Sequence, residues 1–206
     1  RLLCQGMVLK DGAKMSKSLG NTVDPGHIIS KYGADTARVF ILFGAPVERD
    51  LEYSDTGVEG AFRFLKRVFN LVTSLDQFVI KDEETVTKTR HKTIKAVTMD
   101  LNRFSFNTAI SRLMEFVNSM YQKGATKKDL ETLLLLLAPI APFITDYLWN
   151  HLDNDSSIHQ QSWPIFDEKY LVETSIEMAV QVNGKVRDRL QLPADIESSK
   201  IEELAL

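Results

Sequence analysis

The sequence predicts a mainly α-helical protein, an antiparallel helical bundle that follows a β-hairpin and loop and precedes a small α+β segment. Apolar residues recur every three or four positions between Ser54 and Phe166, which is the period of an amphipathic helix. Tight-turn residues dominate before this stretch, and strand-like alternation follows it. The 206 residues, 44% apolar and 26% charged, have the composition of a soluble globular protein of one or two domains.

The first part of the chain predicts a hairpin, a loop and two short helices. Residues 6–15 form a hairpin that turns at Asp11-Gly12, and the polar residues 16–22 form a loop. Asp24 before Pro25 predicts the N-cap and first residue of a helix that ends near Gly33. Asp35 then predicts the cap of a second helix that ends near Gly44.

The middle of the chain predicts the bundle, with helical structure throughout from Ser54 to Phe166. Short connections between long amphipathic helices favour antiparallel neighbours. The same periodicity predicts that Trp149, Trp163 and His151 are packed in the core. The apolar positions of the five helices are Val58 to Leu75, Ile94 to Phe104, Phe106 to Met120, Leu130 to Leu137 and Phe143 to Leu152.

The last part of the chain predicts a two-stranded unit. Met178, Val180 and Val182 alternate, Asn183-Gly184 is typical of a type I′ turn, and Val186 and Leu190 lie on the return strand. A helix is expected from Asp195. We therefore expect three parts: 1–50, ending a first domain; 51–168, the bundle; and 169–206, the start of a further α+β domain.

Composition excludes several classes of protein. Cys4 is the only cysteine, which excludes an intrachain disulfide and a thiolate zinc site and favours a reducing, cytoplasmic location. The longest apolar run, 133–144, contains two prolines and is shorter than a membrane span. The four histidines have no second ligand at a suitable spacing, so no metal site is expected. Because the chain begins at Arg1 rather than Met and ends inside a predicted helix, we expect it to be part of a longer protein.

Charge is unevenly distributed although the formal net charge is only −3. Residues 1–20 hold four basic residues and one acidic residue, whereas residues 129–175 hold eight acidic residues and one basic residue. The basic regions therefore allow a polyanionic partner without requiring one.

The segment Lys14-Met15-Ser16-Lys17-Ser18, here called the phosphate loop, carries the clearest chemical signal. Serine hydroxyls and loop amides donate hydrogen bonds to phosphate oxygens, and lysine supplies a compact positive charge. Such a loop stabilises charge that develops on a leaving pyrophosphate. Two lysines in a polar loop are by themselves also compatible with a solvated turn.

The wider context of this loop resembles the class I aminoacyl-tRNA synthetases. Residues 6–25 resemble the loop that carries this motif in that family, and Lys31-Tyr-Gly-Ala-Asp-Thr-Ala-Arg38 resembles the helix after it in the leucine, isoleucine, valine and methionine branch. Residues 50–65, 137–149, 162–164 and 180–187 resemble the bacterial leucine-specific members in particular. Tyr53 and Phe143 depart from this pattern, since the family often has Trp and His there.

The resemblance implies an ATP-dependent activation of leucine to leucyl-adenylate, followed by transfer to the terminal adenosine 2′-hydroxyl of the leucine-accepting tRNA. It implies that Lys17 contacts ATP and the leaving pyrophosphate, that Lys14 supports the closed loop, and that Met15, Ser16 and Ser18 position its backbone. ATP with Mg²⁺, leucine and tRNA are the expected ligands of a cytoplasmic monomer that has no membrane partner. The family's His-Ile-Gly-His-type motif does not occur in the sequence, so the chain alone is expected to be inactive.

The resemblance also implies that the bundle is a tRNA-binding domain of the anticodon-binding type. Exposed cations on it are candidates for contacts with phosphates, although a solvated face gives the same pattern. Lys185, Arg187 and Arg189 alternate on a predicted strand and are expected to share one face. The candidates are Arg63, Lys66, Arg67, Arg103, Arg112, Lys123, Lys127, Lys128, Lys185 and Arg187.

Two alternatives remain open from the sequence. One is a helical RNA-binding module without catalysis, against which the phosphate loop argues. The other is the same portion of an isoleucine or valine enzyme, against which residues 50–61 and the strand pair 180–187 argue.

Overall fold

The computed structural model describes residues 3–74, 83–172, 175–182, 185–193 and 196. It divides the chain into two compact units, Arg1–Phe166 and Asp167–Leu206. The first unit is mainly helical, as the sequence predicts. The division into parts 1–50, 51–168 and 169–206 stays a prediction.

A small sheet and two helices begin the first unit. Strands β1 (Val8–Lys10) and β2 (Ala13–Lys14) form the predicted hairpin, and Asp11 and Gly12 adopt the positive φ values of 55° and 72° that its two-residue turn requires. Helices α1 (Pro25–Tyr32) and α2 (Ala34–Gly44) follow. The Asp24 carboxylate caps α1 by accepting a hydrogen bond from the Gly26 N–H at 2.9 Å, as predicted.

A third strand joins this sheet from a later part of the chain. Strand β3 (Leu51–Glu52) runs parallel to β1, with Val8 opposite Leu51. This strand could not be predicted from the sequence, because a two-residue strand has no readable period and its partner lies more than forty residues away.

Five helices form the bundle: α3 (Asp55–Thr73), α4 (Glu83–Asn102), α5 (Phe106–Lys123), α6 (Lys127–Leu137) and α7 (Pro142–His151). Ser54 caps α3, and Thr126 and Asp129 form a capping box at the start of α6. The three-residue connection between α4 and α5 makes them antiparallel neighbours. Fully buried side chains at the centre of the core are Leu71, Ile110, Leu113, Phe116, Met120, Leu130, Leu133, Leu134 and Leu148.

Several predictions about the first unit are wrong. Asp35 does not cap its own helix, because α2 begins at Ala34 with Gly33 at the N-cap. His151 is exposed rather than packed, because it lies four residues after Tyr147, whose ring is itself 62% exposed. Helical structure is not continuous to Phe166, since residues 152–166 contain a single short 3₁₀ turn at Ile158–Gln160.

The two tryptophans differ in their surroundings. Trp149 is buried as predicted. The prediction that Trp163 is packed in the core is wrong: it is 36% exposed, and its indole Nε1–H donates to the Thr98 hydroxyl at 2.8 Å. The indole N–H is thus satisfied at the surface of the core.

The second unit contains the predicted strand pair. Strand β4 (Ser175–Val182) pairs antiparallel with β5 (Lys185–Pro193). The register shifts where Val180 faces Asp188 but Gln181 faces Val186, which leaves Arg187 as the extra residue of a β-bulge. This bulge interrupts the strict alternation on which the prediction of one cationic face rested. The predicted turn at Asn183-Gly184 and the predicted helix from Asp195 lie outside the described residues.

Candidate functional site

The phosphate loop begins at the end of the hairpin and presents both of its lysines to solvent. Lys14 ends β2 opposite Leu9, and the Met15 N–H donates to the Val8 carbonyl at 3.2 Å. Lys17 starts a single 3₁₀ turn, Lys17–Leu19. Both lysine side chains are exposed, so both are available to an anionic ligand.

Serine hydroxyls organise the turn of the loop. The Ser16 Oγ accepts a hydrogen bond from the Leu19 N–H at 3.3 Å and lies 3.1 Å from the Ser18 Oγ. Gly20 ends the turn at φ 63°, where a residue with a Cβ is strained. The loop therefore holds a defined shape through local hydrogen bonds.

The Asn21 side chain is hydrogen-bonded to two backbone groups of the phosphate loop. Its Oδ1 accepts from the Ser16 N–H at 2.9 Å, and its Nδ2 donates to the Lys14 carbonyl at 3.3 Å. No role for Asn21 was predicted from the sequence, although asparagine in a polar loop is known for side-chain-to-backbone hydrogen bonds. Its two bonds hold the backbone of Lys14 and Ser16 next to Asn21.

Helix α2 connects the phosphate-loop region with the bundle. Arg38 donates from Nε to the Ile140 carbonyl at 2.9 Å and from Nη2 to the Pro139 carbonyl at 3.0 Å. The Asp35 Oδ2 accepts from the Ile144 N–H at 2.7 Å. The other oxygen of Asp35 is buried and has no hydrogen-bond partner within the described parts of the chain.

The cations predicted to meet RNA fall into separate groups. Arg63, Lys66 and Arg67 lie together on the exposed face of α3, whereas Lys127 and Lys128 lie at the first turn of α6. Arg103 follows the end of α4 and is exposed; Arg112 is exposed on α5, and Lys123 is half-buried at the end of that helix. Arg187 is exposed, and the side chain of Lys185 lies outside the described residues.

Several of these cations have partners on the protein. Arg63 lies 4.0 Å from Glu59, Arg112 lies 3.5 Å from Glu115, and Lys127 lies 3.9 Å from Glu131. The Arg67 guanidinium lies 4.9 Å from the centre of the Tyr121 ring. These surface pairs are weak, so the charges stay available to phosphates.

Two groups near these elements have shifted pKa values. Burial, together with a hydrogen bond to Asp55, raises the pKa of Tyr53 to about 12. Hydrogen bonds from the Ser157 hydroxyl and the Ile158 N–H lower the pKa of Asp146. Neither group lies in the phosphate loop; burial is the main cause of the shift at Tyr53, and hydrogen bonds cause the shift at Asp146.

No protein-held metal site or membrane span is found in the part of the chain that the structure describes. Within those residues, no three or more His, Cys, Asp or Glu side chains come together as a metal-binding group. None of the described helices has the length and apolar character needed to cross a bilayer.

Comparison with protein families gives two matches along the chain. Residues 83–203 match the family described as the anticodon-binding domain of tRNA ligase. Residues 1–54 match the family described as class I tRNA synthetases for isoleucine, leucine, methionine and valine. The second match contains the whole phosphate loop and helices α1 and α2.

Individual relatives agree with the family matches. The chain is 47% identical over 225 aligned positions to a leucine–tRNA ligase of Alcanivorax borkumensis. It superimposes with a TM-score of 0.81 and 30% identity on the crystal structure of AgnB2 LeuRS from Agrobacterium radiobacter K84 in a ternary complex with tRNA and LeuAMS. The alignments cover 100% and 98% of this chain but 28% of each relative. The chain thus spans little more than a quarter of the length of these relatives.

Proposed function

Because the chain belongs to the family of tRNA-ligase anticodon-binding domains, we propose that it is the phosphate-loop and tRNA-binding portion of a leucine–tRNA ligase. The parent enzyme would activate leucine with ATP and transfer it to the terminal adenosine of tRNA(Leu). The observation that carries this proposal is the phosphate loop, with two exposed lysines and a hydrogen-bonded turn. It is followed by α1 and then by α2, whose Arg38 is hydrogen-bonded to the helical domain.

Within this function the loop acts on the phosphates of ATP. The Lys17 ammonium would stabilise charge on the departing pyrophosphate, and Lys14 would hold the closed loop, with Met15, Ser16 and Ser18 positioning its backbone. Catalysis of this kind is electrostatic and positional, so the loop needs no nucleophile of its own. Ammonium groups do not ligate cations, and Mg²⁺ would therefore reach the site on the phosphates of ATP.

The rest of the chain would bind tRNA. We propose that residues 51–168 form the tRNA-binding bundle, with contacts to phosphates from Arg63, Lys66 and the other exposed cations of the candidate set. Residues 1–50 would end the catalytic domain and residues 169–206 would begin a C-terminal α+β domain. A monomeric cytoplasmic enzyme without a membrane partner fits this function.

The sequence identity to a leucine–tRNA ligase favours leucine, rather than isoleucine or valine, as the amino acid that the parent enzyme activates. The segments that argued for leucine in the sequence, 50–61 and 180–187, lie within the alignment to the Alcanivorax borkumensis relative, which covers the whole chain. A module without catalysis would have no use for the phosphate loop.

A chimera tests the catalytic part of the proposal. The corresponding segment of the Alcanivorax borkumensis leucine–tRNA ligase is replaced by this chain, and leucine-dependent ATP–pyrophosphate exchange is measured. We expect an active chimera that loses exchange when Lys17→Ala is introduced and keeps it with Lys10→Ala, a control on strand β1. Equal activity of the two variants would contradict the role of the loop.

A titration tests the tRNA-binding part. The chain is titrated with tRNA(Leu) and with an unrelated tRNA at low and high salt. We expect tighter binding of tRNA(Leu) that weakens as salt rises, because cation–phosphate contacts release counterions. Binding that does not depend on salt, or no binding, would contradict the proposal.

A further inference from the structure

An aromatic cavity opens on the first unit where α1 and α2 meet α3 and α7. Its volume is about 600 Å³, and it lies between α1, the start of α2, α3 and the start of α7. Four of its lining residues carry aromatic rings: Tyr32, Phe62, Phe69 and Phe143. Phe143 is 68% exposed, and Phe62 and Phe69 are each more than a third exposed. Ring surface of this extent facing solvent marks a binding surface.

The rings contact one another in pairs. Tyr32 and Phe62 are 5.5 Å apart between centroids with their planes tilted by 59°, and the ring of Phe69 lies nearly parallel to that of Tyr147 at 6.3 Å. Tyr147 does not line the cavity, but it is 62% exposed and lies four residues after Phe143 on α7. Rigid rings that offer their faces to solvent bind nucleobases with little loss of side-chain entropy.

Cations border the rings. Lys66 lines the cavity, and Arg63 lies beside Phe62 on α3. The Lys31 ammonium lies 4.8 Å from the centre of the Tyr32 ring.

Two acids are close to these cations. Asp35 lines the cavity and is buried, and its Oδ2 accepts from the Ile144 N–H. Glu59 pairs with Arg63 at 4.0 Å, and this pair is weak because the Arg63 and Glu59 side chains are 69% and 51% exposed.

Aromatic rings interleaved with cations distinguish this surface from other exposed apolar groups of the unit. Met7, Val8 and Ile41 are also exposed, but they are aliphatic and none of them lines the cavity. Aliphatic surface suits packing against protein, whereas rings beside lysine and arginine suit single-stranded nucleic acid, whose bases stack and whose phosphates need positive charge.

We propose that the aromatic cavity holds an unpaired nucleotide of the bound tRNA, its base stacked on the exposed rings and its phosphate near Lys66. This inference rests on the tRNA-binding function proposed above. It adds a defined site on the helical unit at which stacking, rather than charge alone, contributes to binding.

Ring-removing variants test the site. Phe69→Leu and Phe62→Leu keep apolar character but remove the stacking face, and Phe43→Leu is the matched control, since Phe43 is 39% exposed against 37% for Phe69 and does not line the cavity. Circular dichroism and thermal unfolding check that all three variants fold. We expect the cavity variants to bind tRNA(Leu) about tenfold more weakly, in line with the loss of one stacked base, and the control to bind like the unchanged chain.

Salt dependence separates stacking from charge. The slope of the logarithm of the tRNA-binding constant against the logarithm of salt concentration is negative. We expect it to stay unchanged in Phe69→Leu and to become less negative by about one in Lys66→Ala. Chemical probing of the tRNA should show one or two unpaired nucleotides protected by the unchanged chain and exposed with Phe69→Leu.

The outcomes distinguish this inference from the function on which it rests. Binding of tRNA(Leu) that Phe69→Leu and Phe62→Leu leave unchanged, or protection of no unpaired nucleotide, overturns the nucleotide site and leaves the tRNA-binding function standing. A dimer in sedimentation that Phe69→Leu dissociates assigns the cavity to a second copy of the chain and also overturns it. Failure of the unchanged chain to bind any tRNA overturns both.

Discussion

Arg38 on α2 donates its Nε–H to the carbonyl oxygen of Ile140, 102 residues later in the chain, at 2.9 Å. In a continuous helix this carbonyl would accept from the Ile144 N–H, but α7 begins only at Pro142. The Ile144 N–H instead donates to Asp35, one turn before Arg38. Because the chain is not helical between α6 and α7, these two backbone groups do not bond to each other. Helix α2 supplies the donor for the Ile140 carbonyl and the acceptor for the Ile144 N–H.

This relationship gives a mechanical link between the phosphate-loop region and the bundle. The segment 1–54 that matches the class I synthetase family is held to the anticodon-binding-type helices through backbone groups, which do not depend on the identity of the side chains there. Helix α2, the second helix after the phosphate loop, is therefore joined to the start of α7 by hydrogen bonds.

The first prediction concerns Arg38→Ala. The substitution leaves the carbonyls of Pro139 and Ile140 without their donors, and we expect it to lower the free energy of unfolding by about 1–3 kcal/mol. Arg38→Lys keeps the charge but not the two-pronged geometry, so it should recover only part of this loss. Arg103→Ala, an exposed arginine after α4, is the control and should stay within about 0.5 kcal/mol of the unchanged chain in urea unfolding. Equal effects of the two alanine variants would contradict the link.

The second prediction concerns the buried ion pair of Arg90 and Asp129. The Arg90 Nη1 lies 2.6 Å from the Asp129 Oδ1, and the two side chains are 8% and 0% exposed. Arg90→Met would leave a buried carboxylate with only the Thr126 groups as partners, so we expect a loss of about 3–5 kcal/mol in the free energy of unfolding.

A double-mutant cycle tests this explanation. Asp129→Asn removes the negative charge that Arg90→Met would leave buried without a cation. The double variant should therefore lose less stability than the sum of the losses of the two single variants. Additive losses in urea unfolding would show that the two side chains do not stabilise each other.

Features with local causes could be predicted from the sequence. The cap at Asp24, the turn at Asp11-Gly12 and the helix start at Ser54 each depend on residues within three positions of one another, and the structure confirms them. The phosphate loop was recognisable for the same reason, since its residues are contiguous.

Features with distant causes could not be predicted. An aspartate near a helix start suggests a cap for that helix, but the partner of Asp35 lies 109 residues away. Periodicity also placed Tyr147 and Phe143 on the buried face of α7, whereas Leu148 and Trp149 are buried and those two rings are exposed. A helix with apolar residues on two sides does not reveal which side faces the core, and this is why the aromatic cavity was not foreseen.

The third prediction concerns the pH dependence of stability through Asp146. Its carboxylate accepts from the Ser157 hydroxyl at 2.8 Å and from the Ile158 N–H at 3.0 Å, and these bonds lower its pKa in the folded state below the ordinary 3.8. Its contribution is therefore fully present above pH 3.8 and is lost as the pH falls through the lower, folded-state pKa.

Variants at this site should isolate the effect. We expect Ser157→Ala, which removes the strongest of the two bonds, to reduce the difference in unfolding free energy between neutral pH and pH values below about 4. Asp146→Asn should remove this contribution to the acid dependence. The measurement is urea unfolding across this pH range, and an acid dependence identical in all three proteins would contradict the assignment.

The fourth prediction concerns Asn21, whose side chain is hydrogen-bonded to the backbone of Lys14 and Ser16 in the phosphate loop. Asn21→Ala removes both the acceptor for the Ser16 N–H and the donor to the Lys14 carbonyl, so the loop should open more often and trypsin should cut faster after Lys14 and Lys17. Asn21→Asp keeps the acceptor and loses the donor, and its cleavage rate should lie between those of alanine and asparagine. Cleavage after Lys10, which lies on β1 outside the loop, is the internal control and should not change. If the Asn21→Ala chain were cut after Lys14 and Lys17 no faster than the unchanged chain, the shape of the loop would have to come from Ser16 and Gly20 alone.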